Sequence, residues 1–306
     1  MTKNTSTGIF QQRVWVVILA IFIAVAWGWA FPLLKLGFDE FGIAQSMTAS
    51  KILFAGLRFA SAGIILLIIA AVTGKSFKVD TTWGWGYIVA FALLNTTLHY
   101  TFFYIGLSNS AGARAAILNS LGTFILVLLA CMVFKSDKLT TKKLIGCLIG
   151  FAGILTLNIG GTESGKFTLD GDGMIIINTI CTAIAGLLIR SVSRRVDIFV
   201  GTGYGLAIGG ALLIIPGFAF GGSLPTITLS GILILATLIA ISAACFAIYN
   251  KLISCNPVGK IAIFNSLIPI VGAITSCLCL GETFYWKYLI SALLAATGIY
   301  IINRAK

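Results

Sequence analysis

Charge is scarce in this chain. Only 10% of its 306 residues are charged, against about 25% in a soluble globular domain. With 58% apolar residues and a mean hydropathy of +1.04, too little polar sequence remains to cover a water-soluble globule. Histidine occurs once, as His99. The seven cysteines (131, 147, 181, 245, 255, 277 and 279) fall almost entirely inside apolar runs without metal-ligand spacing. The thiols therefore read as buried and inert, with neither metal-ligand spacing nor a disulfide framework implied. No Asp or Glu stands in the middle of an apolar run. Asp39, Glu40, Glu163, Asp170, Asp172, Asp197 and Glu282 lie in loops or at run ends. A proton-coupled antiporter for cations usually carries a buried carboxylate. Its absence points instead to a facilitator of neutral, zwitterionic or anionic metabolites. No Gly-x4-Gly-Lys-Ser/Thr loop is present, so ATP drive within the chain is not expected, and no cofactor is called for. A membrane-embedded enzyme would need a converging nucleophile, metal cluster or acid–base set, and no catalytic set of that kind is found.

Long apolar runs are plentiful. Ten can be drawn, at about 14–36, 52–73, 84–107, 111–134, 144–160, 173–191, 199–221, 228–250, 259–280 and 288–303. Each is long enough to cross a hydrocarbon core of ~30 Å as a helix, and lipid offers backbone groups no other partner. Lys3 and Arg13 ahead of the first run, with Ala24-Val25-Ala26 inside it, resemble a secretory leader. The apolar stretch, however, continues to Leu36, past the length of a leader core, so a retained span is expected. The net charge of +12 reads as loop charge rather than as a nucleic-acid surface. With the N-terminus and every second loop on one side, 15 of the 21 basic residues share that side. By the positive-inside rule it is cytoplasmic, and both termini lie there.

One stretch occurs twice. Ala116-Ile117-Leu118-Asn119-Ser120-Leu121 recurs as Ala262-Ile263-Phe264-Asn265-Ser266-Leu267. The copies fall in the fourth and ninth runs, five spans apart, and an odd number of spans reverses direction across the bilayer. The expected organisation is therefore two inverted five-helix halves, residues 1–160 and 173–306, joined by a Gly-rich polar linker at 161–172. A site would lie near the midplane between them. Small-residue pairs (Gly146/Gly150, Gly205/Gly209, Gly217/Gly221, Ala292/Ala296) allow close helix packing. Ten spans can enclose a cavity as a monomer, while the small-residue faces leave a dimer open.

Several short motifs, in order, carry a family resemblance. They are Trp27-Gly28-x-x-Phe31 with Lys35, Leu57-Arg58-Phe59, the Ala-rich start of the fourth run, the Pro269 region, Gly281-Glu282 and Gly298-Ile299. The chain resembles the EamA-type branch of the drug/metabolite transporter superfamily over essentially its whole length. The resemblance implies an all-α integral membrane protein with ten transmembrane helices in two inverted repeats, a central cavity and alternating access. Members of the family move amino acids, other small metabolites or drugs, often outward. Two departures stand out: Thr123 where the second half has Pro269, and Lys135-Ser136 where it has Gly281-Glu282.

Polar groups inside spans are costly and often functional. Asn95 and His99 stand at i and i+4, with Phe102 continuing that face. For His99 the alternatives are a tie to a neighbouring helix, a cavity contact and a proton-responsive switch. Arg58 lies well inside the second run. Lys35 and Arg114 sit nearer the extracytoplasmic end and are expected to snorkel, the three together making the outer vestibule positive. The Asn119-Ser120 and Asn265-Ser266 pairs read as helix–helix bonds or as symmetric cavity lining. Trp27, Trp29 and Phe31 form either bundle packing or a stacking wall. Pro269, with Gly272 after it, is expected to bend the ninth span as a gate element. The substrate-binding expectation is thus Trp27, Asn95, His99, Asn119, Asn265 and Arg58, with Pro269 as gate. The function expected is export of amino acids or related small metabolites across the cell inner membrane. Multidrug efflux is the alternative, and a receptor or channel a further class. The partners are a small-molecule substrate and the lipid bilayer.

Overall fold

The computed structural model describes residues 8–133, 139–156, 167–256, 261 and 263–303. Lys135-Ser136 and residues 161–166 of the linker lie outside them. The described chain is helical, with no strand among the described residues. Its helices are α1 (Arg13–Glu40), α2 (Thr48–Val72), α3 (Thr82–Ala92), α4 (His99–Ser108), α5 (Gly112–Asn119), α6 (Leu121–Val133) and α7 (Thr141–Leu155). They continue with α8 (Met174–Ser193), α9 (Ile198–Ala219), α10 (Leu229–Cys255), α11 (Leu267–Leu280) and α12 (Trp286–Asn303). A π-helical segment, Leu93–Leu98, joins α3 to α4, and another, Leu169–Gly173, leads into α8. Seven helical stretches are long and apolar enough to cross a membrane; α7, α11 and α12 are shorter.

Local chemistry sets the helix ends. Thr81, Thr140 and Thr228 each accept the backbone N–H three residues on, and Asp197 accepts that of Phe199. Each bond satisfies one donor that an N-terminus would leave orphaned. After α2, Gly74 takes φ +68°, a conformation that any Cβ opposes.

Burial is arranged as lipid requires. The outer faces of α1 and α2 carry Ile18, Phe22, Ile64, Ile68 and Ile69 in exposed positions, while Arg58, Asn95, His99 and Arg114 are buried. α2 packs most extensively on α9, α7 on α12, and α5 on α11. Two further kinds of contact come in matched pairs. α1 meets α11 as α8 meets α6, and α1 meets α10 as α8 meets α4.

Glycine sets the distance at the closest of these contacts. A Cβ on Gly63 would stand 2.2 Å from the Ala207 nitrogen, and one on Gly210 2.2 Å from the Ala60 nitrogen. The α7–α12 contact is alike: a Cβ on Gly298 would stand 2.4 Å from the Gly146 oxygen. Of the sequence's small-residue pairs, Gly146/Gly150 faces α12 and α6. Gly205/Gly209 instead faces Phe91 and Thr96 of the third stretch. Gly221 meets nothing and serves as a positive-φ helix end.

Candidate functional site

The twin Asn-Ser stretches coincide with interruptions of their helices. Ser120 forms a turn between α5 and α6, its hydroxyl donating to the Ile117 carbonyl at 2.7 Å. In the second copy a 3₁₀ turn, Ile263–Ser266, precedes α11. Pro269 therefore sits in the first turn of α11, where no intrahelical N–H is needed. The irregular backbone lies just ahead of the proline.

These interruptions open onto a cavity enclosed by α1, α2, α4, α5, α6, α8, α10 and α11. All seven residues singled out from the sequence line it: Trp27, Arg58, Asn95, His99, Asn119, Asn265 and Pro269. Trp27 packs edge-on against Phe246 and Tyr249, with ring centroids 5.5 and 5.0 Å away. Asn265 donates from its amide nitrogen to the Tyr249 hydroxyl at 3.0 Å. Asn119 makes no side-chain hydrogen bond among the described residues.

His99 has two roles. Its Nδ1 is hydrogen-bonded to the Thr182 hydroxyl and lies 3.4 Å from the Asn178 carbonyl, tying α4 to α8. The ring also borders the cavity and is parallel to that of Phe103, centroids 6.0 Å apart. The cavity face of α4 continues at Phe103, not at Phe102 as expected. The wider π turn of Leu93–Leu98 precedes His99, and from there the α-helical i+4 neighbour is Phe103. Trp29 is also corrected. It is 43% exposed on the outer face, because two helical residues on from Trp27 is about 200° around the axis.

The three cations behave differently from one another. Lys35 and Arg114 do not snorkel. Lys35 pairs with Glu282 at 3.3 Å and donates to the Ser110 carbonyl at 2.9 Å. Glu282 also accepts the Gly112 and Ala113 N–H groups that open α5, at 2.8 and 3.1 Å. Arg114 is buried and forks onto Asp172, Nε to Oδ1 at 2.8 Å and Nη2 to Oδ2 at 2.6 Å. Two carboxylates thus neutralise the end that the sequence read as a positive vestibule, and neither pair lines the cavity. Glu282 stood out in the Gly281-Glu282 motif, whereas Asp172 was read as linker and lies 2% exposed in the π turn before α8.

Arg58 is buried in the cavity wall. Nε donates to Ser242 Oγ at 2.8 Å and to the Leu238 carbonyl at 3.2 Å, and Nη1 donates to the Tyr104 hydroxyl at 3.2 Å. Ser242, Tyr104 and Thr182 went unnoticed in the sequence, where isolated hydroxyls in apolar runs give no signal. Among the described residues no carboxylate lines the cavity, and no group of His, Cys, Asp and Glu could hold a metal.

A model of the EamA-like transporter family matches the chain twice, over residues 14–159 and 169–304. "Uncharacterized transporter YvbV" of Bacillus subtilis (strain 168) is 27% identical over 294 residues, covering 94% of this chain and 90% of that protein. "Probable amino-acid metabolite efflux pump" of Escherichia coli (strain K12) is 25% identical over 300 residues, 93% of each chain. A solved crystal structure aligns at a TM-score of 0.69 over 92% of this chain and 95% of its own, at 17% identity, a likeness of fold.

Proposed function

Because the chain belongs to the EamA-like transporter family, we propose that this multi-pass membrane transporter exports amino acids or related small metabolites by alternating access. The observation that carries the reading is the cavity inside the bundle. Its wall gathers the polar and aromatic groups of eight helices, while the faces turned outward are apolar. A pocket of mostly apolar wall with a few converging polar groups is the usual form of a small-molecule site. The amino-acid class takes support from two relatives named "Probable amino-acid metabolite efflux pump".

In this reading the halves are inverted repeats around the cavity. Exchanging each helix with its counterpart in the other half leaves the packing partners unchanged: α1–α11 becomes α8–α6, α1–α10 becomes α8–α4, and the α2–α9, α5–α11 and α7–α12 contacts map onto themselves. In the same reading the protein sits in the cell inner membrane, and the distribution of Lys and Arg supports both termini facing the cytoplasm. The test is counterflow in proteoliposomes with a mixture of labelled amino acids and no ion gradient. Selective, saturable exchange of a few of them is expected. Exchange of planar drugs but of no amino acid would replace this reading with multidrug efflux, for which the Trp27–Phe246–Tyr249 aromatic cluster would be the wall.

A further inference from the structure

Of the cations set inside the bundle, Lys35 and Arg114 have carboxylate partners, while Lys51, which donates to the Gln45 carbonyl, and Arg58 have none among the described residues; of these two only Arg58 lines the cavity. A guanidinium stays charged at any pH the protein meets. A buried charge with no counter-ion is strongly disfavoured. Arg58 is 2% exposed, and its hydrogen-bond and ring contacts are all uncharged: a carbonyl, a serine hydroxyl, a tyrosine hydroxyl and the face of the Phe59 ring, whose centroid lies 4.7 Å from Cζ. Those bonds use Nε and Nη1. Nη2 makes no hydrogen bond among the described residues, and Arg58 borders the cavity. Half of a fork that suits a carboxylate is therefore left for whatever occupies the space.

A second feature has the same sign. Beside the cavity lies a surface depression that shares Ile253 as a wall. Arg190, Arg194 and Lys251 line it, against one carboxylate, Asp197, which is engaged in capping α9. A recess lined by one sign of charge raises the local concentration of ions of the other sign.

We propose that the cavity selects organic anions, carboxylates with a compact apolar body, that dock the carboxylate on Arg58 and approach through the Arg190–Arg194–Lys251 depression. The apolar body rests among Trp27, Phe31, Phe103 and Phe246. An α-ammonium group finds no carboxylate in the cavity wall among the described residues. A 2-oxo acid should therefore be taken at least as well as the amino acid of the same side chain. This inference rests on reading the cavity as the transport site.

Two isosteric series test it on the full-length protein in nanodiscs, with thermal stabilisation as readout. The first is leucine, 4-methyl-2-oxopentanoate, 3-methylbutylamine and 4-methylpentanamide. The second is phenylalanine, phenylpyruvate, phenethylamine and 3-phenylpropanamide. Within at least one series the oxo acid should stabilise at the lowest concentration, with the amine weakest. The oxo acid should also bind about tenfold to a hundredfold more weakly to Arg58→Gln, the factor expected for one charge-assisted hydrogen bond. The amide should bind the variant and the wild type alike, which a general loss of packing would not produce. If Arg58→Gln does not fold, the wild-type order decides. Amine equal to or stronger than oxo acid overturns the proposal, as does silence of all eight compounds at millimolar concentration. Amine preference together with counterflow would leave the transport reading standing. Oxo-acid binding without exchange of any compound would instead sink that reading and keep the anion site.

Discussion

Replacing Gly63 by alanine should destabilise the protein, although the same change usually strengthens a helix. In open helix, Gly→Ala gains roughly 0.5–1 kcal/mol by removing conformational freedom from the unfolded chain. At Gly63 the new Cβ would lie 2.2 Å from the Ala207 nitrogen and 2.7 Å from the Gly203 oxygen, against 3.4 Å or more for an ordinary contact. The missing 1.2 Å or so has to come from separating α2 and α9, since both opposing atoms are backbone. Overpacking of this kind costs about 1–3 kcal/mol, and a rigid opponent places it toward the upper end, so the net loss should be about 2 kcal/mol. Gly86→Ala is the control, because nothing lies within 4 Å of its Cβ. Thermal unfolding of the purified protein in detergent should show the two variants moving in opposite directions. Adding Ala207→Gly should not rescue Gly63→Ala, because the clash is with the nitrogen of residue 207 and not with its side chain. Equal stability of Gly63→Ala and Gly86→Ala, or rescue by Ala207→Gly, would refute the seam as described.

Other outcomes follow from the site and its supports. Asp172→Asn leaves Arg114 buried beside a neutral group and should lower stability by about 3–5 kcal/mol on thermal unfolding, while Arg114→Met combined with Asp172→Leu should cost far less. Glu282→Gln removes a charge that is partly exposed, and its stability change should stay under about 1 kcal/mol; counterflow at rising salt should show the variant less salt-sensitive than wild type. His99→Ala should slow counterflow and also loosen α4 from α8. His99→Gln, which can keep a bond to Thr182, should retain more of the stability than of the exchange.

The fold was legible from the sequence because lipid leaves the backbone few choices. Apolar runs of span length had to be helical, and the helices stand where those runs do. The cavity residues were legible for a related reason. A tryptophan, a histidine, an asparagine or an arginine in the middle of a span is costly, so such groups turn inward, and the six picked on that ground line one space, together with Pro269, picked as a bend. Partnerships between distant residues were not legible. Nothing in the order of residues showed that Glu282 would reach Lys35, or Asp172 would reach Arg114, 247 and 58 positions away. Local irregularity was hidden as well. The π turn before His99 brought Phe103 to the cavity in place of Phe102, and the turns at the Asn-Ser pairs appeared in the sequence only as a repeated pattern.

The joint formed by Lys35, Glu282, Arg114 and Asp172 has a consequence in time. These residues belong to α1, to the loop after α11, to α5 and to the turn before α8. Two ion pairs and two backbone N–H bonds therefore stitch four segments of chain at one end of the bundle. Such a joint does not open by one side chain swinging aside. The segments part together or not at all, so excursions that expose the cavity at this end should be rare, collective and slow compared with side-chain motion.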